Sequence, residues 1–473
     1  MRPEFQPNNL FIKNIDLYLS NDPHLGYLKS LKYILEPPLL DEIPLQIPGI
    51  YILTGARQVG KSTLLKLLIK QLLLNKKCNP NQIFYLPCDI IVSFQELITE
   101  VELFLKQLHQ GTFFYLFIDE VTYVKEWDRA IKYFADLGYF RQGSILITGS
   151  DSTILEEGMK RFPGRRGTAS KTDFHYSPLS FSEYIRLVEP SLWETVKQVH
   201  EAGLFYFQDP FKKQNQDIKI TLLENHPEKL DSLFNQYIIT GGFLTAINEF
   251  GMHGSIGQYI YNTYIQWVLG DFIKRNKNEN FLKEIILALS DRLGKQISYH
   301  NITAVTNIQS HSTTHEYLQI LVNMDVLFVL EALREDKLGA APKKLKKIHF
   351  SDPFIASTLI CWARGIHNFW DFAEKNILQD SQLKTEIIEG VIASLFRRKF
   401  KSFYIKAEAE VDLSLIIGNK FLPIEIKNSL TLKKTELKQI LKYKTGIIGY
   451  KGTHIGKFEH LHVLPLPVLA LFT

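Results

Sequence analysis

The sequence predicts an α/β protein. A parallel sheet with helices on both faces lies towards the N-terminus, helical segments follow, and a smaller α/β domain ends the chain. Three observations predict this. Between residues 49 and about 185, apolar runs of strand length alternate with amphipathic stretches, the pattern of a parallel sheet covered on both sides. Inside that region, Gly55-Ala56-Arg57-Gln58-Val59-Gly60-Lys61-Ser62-Thr63 sits between an apolar run and an amphipathic one. Far downstream, Glu389, Asp412, Glu425 and Lys427 fall in that order on a helical segment and two alternating ones.

The 473 residues are 45% hydrophobic, enough for a sizeable core, and the length suggests about three domains. A net charge of +5 is compatible with a nucleic-acid partner without requiring one. The cysteines, Cys78, Cys88 and Cys361, show no C-x-x-C spacing, which argues against disulfides and zinc and for a reducing, cytoplasmic compartment. The N-terminus lacks a basic-then-apolar leader pattern, and apolar runs such as 64–74 are broken by lysines, so no membrane association is expected.

Residues 1–45 are rich in Pro and Asn and weakly periodic, and read as an N-terminal extension. Ile50-Tyr51-Ile52-Leu53 is a buried strand that enters the glycine-rich turn, and residues 64–69 continue a helix out of it. The turn fits G-x-x-x-x-G-K-[ST]. Gly55 and Gly60 let backbone N–H groups face phosphate oxygens, Lys61 reaches the β- and γ-phosphates, and the Ser62 hydroxyl ligates Mg²⁺. This pattern implies ATP or GTP. Residues 82–86 are a second strand and 94–108 a helix. Residues 113–120 are an apolar strand ending in Asp119-Glu120, where open α/β sheets bind ligands; Asp119 would hold Mg²⁺ and Glu120 would polarise the attacking water. Trp127–Leu137 is an amphipathic helix, and residues 144–150 a strand with Thr148 or Ser150 at its tip, facing the γ-phosphate or capping a helix. Arg165 and Arg166, in the loop 162–167, are candidate arginine fingers or solvated surface arginines.

These motifs, with Trp127, Ile147-Thr148-Gly149-Ser150 and Pro178-Leu179-Ser180-Phe181-Ser182-Glu183-Tyr184, resemble the prokaryotic AAA-family proteins often called archaeal-type ATPases. The resemblance implies a P-loop AAA core, a helical lid, a winged helix-turn-helix and a C-terminal domain of restriction-endonuclease-like PD-(D/E)xK character. Tyr237-Ile238-Ile239-Thr240-Gly241-Gly242-Phe243 is similar to the lid's Gly-Gly signature, whereas the polar insertion around 205–227 departs from the family. The expected segments are an extension over 1–45, the core over 46–188, a lid with insertion over 189–275, a winged helix over 276–350, a connector over 351–380 and the nuclease-like domain over 381–473.

Within the winged region three helices are expected over 281–293, 298–305 and 313–324, then strands over 326–330 and 347–350. Gln309, His311, Thr313, Thr314 and His315 would enter a DNA groove, and Lys343, Lys344, Lys346 and Lys347 would meet phosphates. Such a module also docks proteins, and a lysine run also marks a solvated face. In the last domain Asp412 and Glu425 would share one face of adjacent strands and bind Mg²⁺, with Glu389 completing the site from a helix and Lys427, two residues from Glu425, orienting water or stabilising charge. A lysine-bearing helix is expected over 433–442. The expected activity is ATP hydrolysis coupled to DNA, with metal-dependent DNA cleavage as an added one. A nucleotide-dependent scaffold for protein partners and an ATP-gated toxin-like effector stand as alternatives, and a homo-oligomer is compatible with each.

Overall fold

The computed structural model describes residues 2–149, 151–161, 164–197, 200 and 227–473. Ser150, Phe162, Pro163 and nearly all of the 205–227 insertion lie outside the described residues. The chain forms two compact units, Met1–Ser177 and Pro178–Thr473.

The first unit holds a five-stranded sheet: β1 (Gly49–Thr54), β2 (Ile83–Pro87), β3 (Phe114–Asp119), β4 (Gly143–Thr148) and β5 (Asp173–His175), in the order β2-β3-β4-β1-β5. Every pairing is parallel. The central strands are buried on both faces, and their period of two divides the core. Ile50, Ile52, Leu116, Ile118, Ile145 and Ile147 pack towards the helices Phe94–Leu105 and Trp127–Asp136. Tyr51, Leu53, Tyr85, Phe117 and Leu146 face the helix Lys61–Leu74.

The N-terminal segment is part of this unit rather than an extension of it. A 3₁₀ stretch, Pro3–Ile12, buries Phe5, Asn9 and Phe11. The Asn9 amide donates to Tyr85 O at 2.8 Å and accepts from Tyr85 N at 2.8 Å, so one side chain pairs with edge strand β2 as a neighbouring strand would. Further along, the Tyr18 hydroxyl donates to Lys66 O, and Asp22 Oδ2 lies 3.3 Å from Lys66 Nζ with both side chains almost fully buried. Lys66 also donates to Asn8 O and lies 3.6 Å from the centroid of the Tyr85 ring.

In the second unit, Ser180 and Glu183 form a reciprocal cap that starts the helix Phe181–Val188. The helices Pro227–Thr240, Leu244–His253 and Gln258–Lys274 follow. Gly241 and Gly242 join the first two. A Cβ on Gly242 would lie 2.2 Å from Leu179 O, and its N–H donates to Asp352 Oδ2. Three further helices, Glu279–Ser290, Tyr299–Thr303 and His311–Asn323, stand beside a small antiparallel sheet. It comprises β6 (Gln296–Ile297), β7 (Leu327–Leu330) and β10 (Lys346–Phe350), with β10 central; β8 (Leu333–Arg334) and β9 (Gly339–Ala340) form the intervening hairpin.

The helix Ser381–Arg397 leads to a six-stranded sheet: β11 (Ser402–Lys406), β12 (Glu410–Ile417), β13 (Lys420–Lys427), β14 (Ile447–Tyr450), β15 (Gly456–Phe458) and β16 (Leu461–Pro465), ordered β11-β12-β13-β14-β16-β15. The expected helix over 433–442 is instead two 3₁₀ turns, Lys434–Glu436 and Ile440–Lys442, with Leu437 and Ile440 buried in the core. Lys66→Met, which would leave Asp22 buried without its cation, is expected to cost about 3–5 kcal/mol, read as a lower urea midpoint for the first unit; an unchanged midpoint would contradict the buried pair.

Candidate functional site

β1 delivers the chain into the glycine-rich turn at the C-terminal edge of the first sheet. Gly55 has φ +146°, and a Cβ there would meet Tyr176 O at 2.3 Å; Gly60 has φ +103°. Both positions require glycine. The helix Lys61–Leu74 begins directly after Gly60. Lys61 is buried, and its ammonium donates to Gly55 O at 2.8 Å and Ala56 O at 3.0 Å, 3.7 Å from Glu120 Oε1. Its charge is thus stored on the turn it would leave for a phosphate. Behind it, Thr63 Oγ1 meets His24 Nδ1 of the N-terminal segment at 3.2 Å.

Asp119 ends β3 and is buried. Its Oδ1 accepts from the Thr148 hydroxyl and its Oδ2 from the Tyr85 hydroxyl, each at 2.5 Å. Burial, then Asp119, holds the Tyr85 hydroxyl's pKa well above the usual phenol range. Glu120 takes a left-handed backbone, φ 52°, and donates its N–H to Thr148 Oγ1 at 2.9 Å. Thr148 therefore fixes both acids. Ser62 and Asp119 together offer a hydroxyl and a carboxylate, hard oxygen donors that fit Mg²⁺. Tyr85 was invisible to the sequence reading, and its only signal was a polar atom on an otherwise apolar strand.

Neither arginine of the 162–167 loop joins this site from within the chain. Gly167 bridges to Gly49 at the start of β1, and Arg166 O accepts from Ile50 N. The six-residue strand puts that point roughly 20 Å from the turn. Arg165 is ion-paired with Asp136, and Arg166 grips Asp173 through two bonds of 2.8 Å.

The second unit gathers the other predicted residues. The pairing Leu413↔Ile424, continued by one residue, sets Asp412 opposite Glu425, and Asp412 Oδ2 accepts from Ile426 N at 2.9 Å. Glu389 projects from the helix Ser381–Arg397. Between these acids lies an unexpected group, the ammonium of Lys347 from β10. It contacts Glu389 Oε1 at 2.5 Å, Glu410 Oε1, and Asp412 Oδ1 at 3.4 Å, and its side chain is fully buried. Burial alone would lower the pKa of Lys347, but Glu389, Asp412 and Glu410 outweigh it and hold the ammonium protonated, above the usual lysine range. Lys427 binds Glu425 Oε1 at 2.6 Å, while the buried Glu425 Oε2 has no hydrogen-bond partner. Burial pushes the carboxyls of Glu389 and Glu425 up to about 8. Glu389, Asp412 and Glu425 therefore do not form the expected cage. Among the described residues no group of three or more His, Cys, Asp or Glu side chains is arranged to hold a metal ion.

Lys347 is thereby corrected from a surface wing lysine to an interior one. Adjacent residues on a strand face opposite sides, so Lys346 and Lys347 cannot both be solvated. Lys346 pairs with Glu331 at 2.6 Å, leaving Lys343 and Lys344 exposed. Thr314 likewise faces inward, on Thr303 Oγ1 at 2.8 Å, whereas Gln309, His311 and His315 are exposed. No described helix is long and apolar enough to cross a membrane.

Residues 48–185 match the family model described as an AAA domain. Residues 231–365 match a domain of unknown function, DUF8612, which runs unbroken across the expected boundaries at 275/276 and 350/351. An uncharacterized protein of Methanocaldococcus jannaschii is 24% identical over 338 residues, 68% of this chain; the chain spans 63% of that relative's length. Among solved structures, the Walker-type ATPase of Pyrococcus abyssi is similar at 15% identity and a TM-score of 0.37, covering 66% of this chain and 90% of its own. The Aeropyrum pernix ORC2 protein, in ADPNP–ADP complexes, is similar at 10% identity and a TM-score of 0.35, covering 76% and 95%. The parallel-sheet region of the first unit is thus similar to an AAA domain.

His349, beside Lys347, gives a pH signature. Burial, then Lys347, lowers its pKa to about 3, and neither ring nitrogen has a hydrogen-bond partner. The unfolded imidazole takes its proton near 6.5, so the unfolded chain binds more protons between about 6.5 and 3, and folding stability falls as pH drops through that window. His349→Phe, which keeps the stack on Phe328, is expected to flatten this fall when Tm is followed from about pH 7 to pH 5; the same slope in both proteins would contradict it.

Proposed function

We propose that this chain is an AAA-type ATPase that binds ATP·Mg²⁺ between the turn Gly55–Thr63 and the acids Asp119 and Glu120, and hydrolyses it. The observation that carries this reading is the pre-set trio. Lys61 is held on the turn's own carbonyls. Glu120 Oε1 lies 3.7 Å from its ammonium, and Asp119 is fixed by Tyr85 and Thr148.

Ser62 and Asp119 are the residues that would hold Mg²⁺, which when bound neutralises charge on the β- and γ-phosphates. The chain's own residues supply the rest. Lys61 exchanges two carbonyl partners for phosphate oxygens. The N–H groups of the turn and the start of the helix face the same anion. Glu120 orients the attacking water, and its left-handed backbone, pinned by Thr148, aims its carboxylate independently of the strand that bears Asp119. The proton Glu120 accepts leaves with the product phosphate.

The second unit is read as a lid followed by a winged helix-turn-helix and a nuclease-like sheet, with DNA as the partner. Support for DNA comes from the exposed Gln309, His311, His315, Lys343 and Lys344. The internal pairing of Lys346 and Lys347 favours a second reading, a nucleotide-dependent switch that docks a protein. No cleavage step is proposed, since Glu389, Asp412 and Glu425 with Lys347 among them do not fit a divalent metal.

Phosphate release by the purified chain with ATP and Mg²⁺, with and without duplex DNA, tests this. Glu120→Gln is expected to lower kcat by about 10²–10⁴-fold while ATP still binds. DNA is expected to raise the rate of the unaltered protein. Hydrolysis undiminished in Glu120→Gln would overturn the site assignment, and hydrolysis indifferent to DNA would select the protein-docking reading.

A further inference from the structure

The acid cluster of the second unit does not use its charges as the order Glu389, Asp412, Glu425, Lys427 would lead one to expect. Three carboxylates from two elements, Glu389 from the helix Ser381–Arg397 and Glu410 and Asp412 from β12, converge on a single point. What occupies that point is the Lys347 ammonium. The side chains of Glu389, Glu410 and Asp412 are 11%, 28% and 14% exposed, against 0% for Lys347, so the cation is the most deeply placed member. Two neighbours carry buried polar atoms without a hydrogen-bond partner. Both ring nitrogens of the buried His349 lack a hydrogen-bond partner, with Nε2 3.7 Å from Glu389 Oε1, and Glu425 Oε2 is buried without a partner across from Asp412.

Hard oxygen donors from a helix and a strand, converging in a desolvated site, are what a divalent cation selects. We infer that Glu389, Glu410 and Asp412 form a cation site whose built-in occupant is the ammonium of Lys347, so that the wing strand β10 closes this site to divalent metals. The lysine is not a movable plug on a loop. β10 is the central strand of its sheet, with Lys347 in register with Leu330 of β7 and Gln296 of β6. The neighbouring strand is tied in as well, because the Gln296 amide donates to Glu410 Oε2. Withdrawing the backbone that carries the ammonium would require breaking ladder bonds on both sides of β10. The acids outnumber the one ammonium among them, so deleting that ammonium leaves a pocket that attracts a cation from solution. The inference rests on side-chain placement alone and is independent of ATP hydrolysis.

Mn²⁺ binding to the full chain without nucleotide, counted from the loss of the free-ion paramagnetic resonance signal, tests it. Wild type and Asp412→Asn are expected to bind the same amount, since Asp412 holds no metal while Lys347 is present. Lys347→Met is expected to gain one Mn²⁺ per chain, and Lys347→Met/Asp412→Asn to lose it again. Should Lys347→Met be unfolded without metal, added Mn²⁺ is expected to restore its folding, followed by circular dichroism, and not that of Lys347→Met/Asp412→Asn. An Asp412-dependent Mn²⁺ in the wild type, or a folded Lys347 variant with no added Mn²⁺, would overturn the inference.

Discussion

A buried charge is tolerated only where an opposite charge and hydrogen bonds meet it, and that constraint organises both units. In the first, Lys66 lies on the inner face of the helix that follows the phosphate turn, where a long apolar residue would be the ordinary choice. Asp22 and Asn8 O, both from the N-terminal segment, compensate it, and the Tyr85 ring lies over it. The segment is therefore held against the parallel-sheet core by a buried ion pair with Asp22 and a hydrogen bond to Asn8 O. Tyr85 carries the consequence to the site, since one face of its ring meets Lys66 and its hydroxyl holds Asp119. A continuous chain of contacts thus runs from Asp22 through Lys66 and Tyr85 to Asp119.

The second unit repeats the device with a different result. Lys347 is buried more deeply than any acid around it. Its pairing joins the three-helix region, the helix Ser381–Arg397 and strand β12 into one core. Segments that read in the sequence as a winged helix and a separate C-terminal domain consequently share a common electrostatic centre, in keeping with the single compact unit Pro178–Thr473.

How much of this was legible in the sequence follows from how local each signal is. The strand, turn and helix around Gly55–Thr63 were legible as local structure because the motif fixes residue types at adjacent positions. Asp119-Glu120 was legible from an apolar run with two acids at its end. Tyr85 and Thr148 were not assigned to Asp119, because they come from other strands, 34 and 29 residues away. The N-terminal segment carried no periodicity. It docks through isolated anchors, Phe5, Asn9, Phe11 and Tyr18, on a 3₁₀ stretch broken by Pro7. The acids of the last sheet were found in their order, yet their occupant was missed. Four lysines within five residues look like one solvated face, and the period of two that turns Lys347 inward is hidden when its neighbour is also lysine.

The central claim is that the turn Gly55–Thr63 and Asp119 together hold one Mg²⁺-dependent nucleotide. Calorimetric titration of ATP into the purified chain, with Mg²⁺ and with the metal chelated, tests it most directly. The account predicts saturable binding of one ATP per chain that weakens without Mg²⁺ and disappears in Lys61→Ala. Equal heats in Lys61→Ala and the unaltered protein would contradict it.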